Sequence, residues 1–185
     1  MNVPSSNKIF YYSIAETTIG WIGITGNERG LRKLVLPVPA REDVLAELNR
    51  YYRPCEKLTQ ADSQFISITT KIKDYFAGKK IHFENEMINL EGYTPFQKDV
   101  LLKTREIPYG KIQTYGWLAK QSGYPKAYRA VGGVMRINPL PLIIPCHRVV
   151  GSQGKLTGFS AAGGLALKRK MLDMEGASIG KYPAV

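Results

Sequence analysis

The chain holds 185 residues, 44% of them hydrophobic and 22% charged, with a formal net charge of +11. That suits one ordinary domain, or two small ones, with a buried core, and apolar residues spread along the whole length exclude a disordered chain. No uninterrupted apolar run approaches the ~20 residues needed to cross a bilayer, and the opening MNVPSSNKIFYYS lacks the charged, apolar, then small pattern of a secretory leader, so the expectation is an intracellular protein with no membrane partner, cytoplasmic or, in a eukaryote, nuclear.

Residues 9–14 and 17–24 are β-rich runs, GNERG at 26–30 reads as a turn, and 31–36 returns as a strand. Residues 41–53 place Val44, Leu45, Leu48 and Tyr52 at helical spacing, and 62–77 do the same with Phe65, Ile66, Ile68, Ile72 and Phe76, stopping at Gly78. A short strand over 81–90 completes a small α+β module with no evident chemistry. From Tyr93 the character changes. Thr94-Pro95 is an N-cap and first-turn pair for a helix over 95–106, and IPYG at 107–110 is a turn. Thr114 caps a helix through Gln121 that stops at Gly123; 125–137 form the next, with Tyr128, Val131, Val134 and Met135 on one face, ended by Asn138-Pro139. Residues 142–144 read as a buried strand stopped by Pro145, and 163–175 as an amphipathic helix stopped by Gly176. The expected organisation is an N-terminal α/β domain over 1–92 and a mainly helical domain over 93–185.

Charge divides the chain the same way. Residues 1–92 carry 12 Lys and Arg against 11 Asp and Glu, whereas 93–185 carry 14 against 4. Between Glu106 and Asp173 there is no acidic residue and there are ten basic ones. A one-signed stretch that is apolar enough to fold points to a polyanion, most simply nucleic acid, with a solvated basic face as the plainer alternative. Two short helices joined by a glycine-containing turn match a helix-turn-helix, and the second carries Lys126, Arg129 and Arg136. Gly132-Gly133 in its middle cost about 1 kcal/mol each against alanine, so either another backbone packs there or DNA approaches there.

The apolar run 139–150 is interrupted by Pro-Cys-His-Arg. Cys146 therefore sits where a buried element ends, followed by His147 and Arg148, whose charge and imidazole can lower a thiol pKa below its ordinary ~8.5. If the segment stayed extended, adjacent side chains would face opposite ways, and a turn or a bridging water would be needed to join thiol and imidazole. The plainer reading is a small buried hydrophobe. Cys55, with no histidine near it in sequence, reads as structural. With only two cysteines and two histidines (His82 and His147), neither a disulfide scaffold nor a four-ligand zinc site is expected. Glu175, at the unfavourable end of a helix dipole, has either solvent or an imidazole as its partner.

The ordered series TPFQ, IPYG, RAVGG, NP, PCHRV, GG and EG over about residues 93–176 resembles the C-terminal domain of the O6-alkylguanine-DNA alkyltransferases. The first half resembles that family only in size and mixed α/β character, which the resemblance equates with an RNase H-like sheet-and-helix domain. The resemblance implies that Cys146 accepts the alkyl group, that His147 acts as its base through water, that Glu175 orients His147, and that Asn138 is the hinge before the active-site segment. It makes Tyr115 a neighbour of the everted base and a proton donor to O6 or N3. Arg129 becomes the finger that fills the gap in the duplex, while Ala130 and Gly132-Gly133 form a small surface for the minor groove. Ser160 would bond the O6 edge, the carbonyls of Cys146 and Val149 would take the exocyclic amine, and Phe159 stands at the pocket rim where many members have tyrosine. Gly116 replaces a bulkier residue, and the zinc ligands that some members carry are missing, so no metal or other cofactor is expected.

The implied function is direct reversal of DNA damage. The protein binds double-stranded DNA as a monomer, with cooperative loading along the strand as an option, everts O6-alkylguanine and moves the alkyl group once and irreversibly to Cys146. The alternative is a helix-turn-helix module that senses lesions without chemistry. A weaker rival, a cysteine hydrolase using Cys146 and His147, leaves the basic half unexplained.

Overall fold

The computed structural model describes residues 8–52 and 56–178; Cys55 lies outside them. The chain divides into two units, one of residues 1–81 with 86–89 and the other of 82–85 with 90–185.

The first unit is built on a four-stranded sheet. Strands β1 (Ile9–Thr17), β2 (Gly20–Asn27) and β3 (Gly30–Val38) form an antiparallel meander, and β4 (Lys57–Gln60) pairs parallel to β1, giving the order β3-β2-β1-β4. Helix α1 (Arg41–Tyr51) buries Val44 and Leu48 against Val35 and Val38. Each such aliphatic side chain removed from water contributes roughly 1.5–3 kcal/mol. A 3₁₀ turn, Asp62–Phe65, leads into α2 (Ile66–Phe76), which buries Ile68, Ile72 and Tyr75. The strand expected over 81–90 does not form. That stretch makes a single bridge, Ile88 to Leu31, because HFENEM is largely polar and only Met87 and Asn89 exchange backbone bonds with Leu31. β4 escapes sequence reading because four residues with two charged or polar ends carry no alternation.

The second unit is mainly helical, with α3 (Pro95–Arg105), α4 (Tyr115–Gln121), α5 (Tyr128–Arg136) and α6 (Gly164–Met174). Thr94 caps α3 with a reciprocal bond from Gln97, and Thr114 caps α4 by accepting from the Trp117 amide at 3.0 Å. Two short strands, β5 (Gln113–Thr114) and β6 (Val149–Val150), pair in parallel. The expected helix over 125–137 starts three residues late, at Tyr128, so Lys126 sits in the preceding turn. The fold is the mixed α/β type expected, a sheet unit followed by a helical one.

Candidate active site

Three prolines shape the segment that carries the thiol. Pro139, Pro141 and Pro145 lack an N–H, so 142–144 cannot ladder as the strand the apolar run suggests. The chain turns instead, with the Ile144 amide donating to the Leu140 carbonyl at 2.7 Å. Leu142 takes a left-handed φ of 76°, a conformation that costs a branched residue on the order of 1 kcal/mol. Buried Asn138, just beyond α5, holds this turn from both sides: its side-chain amide donates to the Ile144 carbonyl (2.8 Å), and its oxygen accepts from the Leu140 amide (3.1 Å). Asn138 thus couples the end of α5 to the residues feeding the thiol.

Cys146–Arg148 form a single 3₁₀ turn rather than extended chain. Cys146 is 7% exposed and lines a cleft of about 220 Å³ together with Tyr115, Gly132, Met135, Arg136, Phe159 and Ser160. Burial pushes its thiol up, while bonding to the Asn138 side chain and the charge of Lys168 draw it down. Arg148 does not face the sulfur, as its neighbourhood in sequence suggested. It turns to Glu175, its Nε donating to Oε2 at 2.8 Å and a terminal nitrogen to Oε1 at 2.9 Å, and it reaches the Ile107 carbonyl at 2.6 Å. Of the charged groups, Lys168 is the one that draws the thiol down, a residue sequence reading left among the general basic charge.

His147 is fully buried, with Nε2 2.8 Å from Glu175 Oε1. Its other nitrogen, Nδ1, has no hydrogen-bond partner among the described residues. Burial holds the imidazole below its usual pKa despite Glu175. The two Arg148 donors and the histidine hold the Glu175 carboxyl far below the usual carboxylate range. The dyad is therefore a neutral imidazole that donates to a carboxylate and keeps Nδ1 as a proton acceptor. The IPYG turn completes the clamp. Gly110, at φ 71°, donates its amide to Glu175 Oε2 at 3.1 Å, and Tyr109 donates its hydroxyl to the Met174 carbonyl at 3.2 Å. A side chain at Gly110 would meet the Glu175 backbone oxygen at 2.8 Å. Glu175 is thus a buried partner, not the solvated helix end it could have been.

The other expected contacts gather at the cleft with different partners. Tyr115, in the first turn of α4, donates to the Thr157 carbonyl at 3.5 Å, and burial raises its phenol pKa. Ser160 donates to the Arg136 carbonyl (2.9 Å), and the Val149 carbonyl accepts from Lys168 Nζ (2.6 Å). Beside the cleft, α5 buries Val131, Val134 and Met135 and exposes Arg129, Ala130, Gly133 and Arg136. The Arg129 guanidinium lies 5.8 Å from the Tyr128 ring centre. A Cβ built at Gly132 or Gly133 would meet nothing within 4 Å, so intramolecular packing does not explain these glycines; Gly133 is exposed, and Gly132 is half-buried at the cleft. Lys168 carried one legible signal, its place at helical spacing with Met171, Leu172 and Glu175 on the inner face of α6. Among the described residues no cluster of three His, Cys, Asp or Glu could hold a metal ion, and no helix is long and apolar enough to cross a membrane.

Comparisons with known proteins match both units to one family. Residues 10–90 match the 6-O-methylguanine DNA methyltransferase ribonuclease-like domain, and residues 95–177 match the DNA binding domain of the same family. The methylated-DNA–protein-cysteine methyltransferase of Methanosarcina acetivorans is 40% identical over 173 residues, spanning 90% of this chain and 98% of that protein. The Mycobacterium tuberculosis O6-methylguanine methyltransferase superposes with a TM-score of 0.70 at 32% identity, covering 95% of this chain and 96% of that one. A crystal structure of the Mycobacterium tuberculosis OGT in complex with DNA matches at a TM-score of 0.71 and 32% identity over 90% of this chain and 92% of that one.

Proposed function

The chain belongs to the 6-O-methylguanine DNA methyltransferase family and is a DNA-repair enzyme that moves an alkyl group from DNA to a cysteine; from that premise we propose that Cys146 is the acceptor, that residues 93–185 do the work, and that the protein acts as a monomer on double-stranded DNA holding O6-alkylguanine. The observation that carries the reading is the thiol lining a cleft, next in chain to a fully buried histidine whose Nδ1 has no hydrogen-bond partner among the described residues.

The chemistry follows from those groups. The alkyl carbon is bonded to O6, so its removal is an in-line displacement by a soft anion, which a thiolate is and a thiol is not. His147 takes the thiol proton at Nδ1 through a bridging water, and Glu175, fixed by Arg148 and Gly110, keeps Nε2 protonated. As the sulfur–carbon bond forms, the carbon–oxygen electron pair returns to the guanine, and the Tyr115 hydroxyl protonates the leaving base. The target lies inside the duplex, so the nucleotide must rotate out at a cost of a few kcal/mol. Arg129 holds the gap, the outward glycines allow close approach to the minor groove, and phosphate contacts by Lys126 and Arg136 offset the cost. Ser160 exchanges its bond to Arg136 for the O6 edge, and the second lone pair of the Val149 carbonyl takes the exocyclic amine, as the Cys146 carbonyl does. The product thioether is not cleaved by water, so each molecule acts once and without a cofactor.

The test is transfer of a labelled methyl from O6-methylguanine DNA, followed by peptide mapping. Label on the peptide containing Cys146 is the expected outcome. Tight binding with an unmodified peptide would replace this reading with a lesion sensor.

A further inference from the structure

Lys168 is fully buried, and the reading above gives it no task. Lysines are almost never wholly buried unless paired, and among the described residues no carboxylate pairs with this one. Its Nζ instead meets three backbone carbonyls, Val149 at 2.6 Å, Thr157 at 2.9 Å and Gly158 at 3.4 Å. An ammonium has three N–H donors and no acceptor, so three carbonyls satisfy it completely. A neutral amine would turn a lone pair toward one of those oxygens. The cage selects the charged form even though burial draws this lysine down to about 8. Taking such a cation out of water without an anion is costly, and the nearby groups leave one anion available. Glu175 at the end of α6 is already neutralised by Arg148 and His147. Tyr115 from α4 is un-ionised and shares the Thr157 carbonyl with Lys168. His147 is held neutral, and Arg169 and Lys170, the next residues of α6, are exposed. The remaining acidic group beside the cage is Cys146: it lines one cleft with Gly158, whose carbonyl Lys168 bonds, and lies three residues before Val149, another of the carbonyls, and the charge of Lys168 draws its thiol down.

We infer that Lys168 is a positioning residue of the reaction: its caged ammonium is the counter-charge of the Cys146 thiolate, and its three bonds hold the 157–158 lip of the cleft against Val149. The inference rests on Cys146 being the acceptor. Deprotonating the thiol completes a buried ion pair, and alkylation abolishes it, because a thioether carries no charge. Lys168 therefore holds its proton more tightly before transfer than after.

Two measurements on the full chain test this. The first follows the rate at which iodoacetamide alkylates Cys146, by mass mapping, as a function of pH in the unsubstituted protein, K168M and K168R. Removing the opposite charge moves the inflection up by about one pH unit, making K168M about tenfold slower on the acid side; K168R keeps the original inflection. A K168M profile slowed equally at every pH, or unmoved, overturns the counter-charge role. The second needs no substitution and decides the matter should both variants fail to fold. The Lys168 ammonium is titrated by NMR in lysine-labelled protein before and after methylation by O6-methylguanine DNA. A lower titration midpoint in the methylated protein supports the inference, and an equal one sinks it. Absence of methyl on the Cys146 peptide of the unsubstituted protein defeats the parent reading, whereas normal transfer with unmoved titrations defeats only the role of Lys168.

Discussion

Among the described residues, the polar side chains taken out of water in the N-terminal unit are Ser13, Thr25, Thr69 and Asn89, all neutral; in the C-terminal unit they include His147, Arg148, Lys168 and Glu175. The first kind is cheap to satisfy. Thr25 and Tyr52 bond each other's hydroxyls, Ser13 donates to Asp62 at 2.6 Å, and Thr69 donates to the Phe65 carbonyl one turn back at 2.8 Å. The second kind requires a network, because one unpaired buried charge costs more than a hydroxyl bond returns. Four donors converge on Glu175 and three acceptors on Lys168. Among the described residues the first unit builds its core without fully buried ions. Where they accumulate, burial is serving reactivity, and the downward shifts of His147 and Lys168 from burial, and of Glu175 from its partners His147 and Arg148, mark that place.

That contrast can be broken experimentally, and the largest effect is expected at the sulfur. Cys146→Ala should lose all alkyl transfer while binding DNA as before, read by labelled-methyl transfer beside a binding titration. Residual demethylation by this variant would move the acceptor elsewhere. Next comes Glu175→Gln, which strands buried Arg148: unfolding in denaturant at pH 7 should show a loss of about 3–5 kcal/mol. The same carboxyl sets an acid limb. Its folded pKa is depressed below the ~4.3 of an unfolded glutamate, so the stabilisation is complete above about pH 5 and drains away as pH falls further. His147, also depressed, adds a loss that begins below about pH 6.5. Stability measured across pH 3–7 should show the lower limb in the unsubstituted protein and not in Glu175→Gln; an identical limb in both would remove Glu175 as its source.

Smaller effects separate the surfaces. Arg129→Ala should cost about 1–3 kcal/mol in DNA affinity and repair with stability unchanged. Tyr52→Phe leaves the Thr25 hydroxyl buried without its partner and should lower stability by about 1 kcal/mol or somewhat more, with transfer unaffected. A drop in transfer rate there would implicate the first unit in the chemistry. Gly133→Ala should raise stability by roughly 0.5–1 kcal/mol, since a helix-interior alanine replaces glycine in open space, yet weaken DNA binding. Affinity equal to that of the parent would mean the outward glycines serve no partner.

Short-range pattern was readable without coordinates. Helical spacing located α1, α2 and α6 to within a few residues, Thr94 and Thr114 announced α3 and α4, and PCHR singled out the thiol. These features depend on residues a few positions apart, where φ/ψ preference, capping and side-chain period act directly. The placements of Arg148 and Lys168, which went unseen, span longer separations. Arg148 looked like a neighbour of Cys146 and proved to be a partner of Glu175, 27 residues away, and Gly110 reaches the same carboxylate from 65 residues away. Apolar 142–144 looked like strand until Asn138 and three prolines bent it into a turn. Lys168 read as one more surface cation, and only folding shows it caged. Whether a charge is solvated or buried, and against which counter-charge, depends on the low-dielectric surroundings assembled by distant segments, and no window of neighbouring residues encodes that.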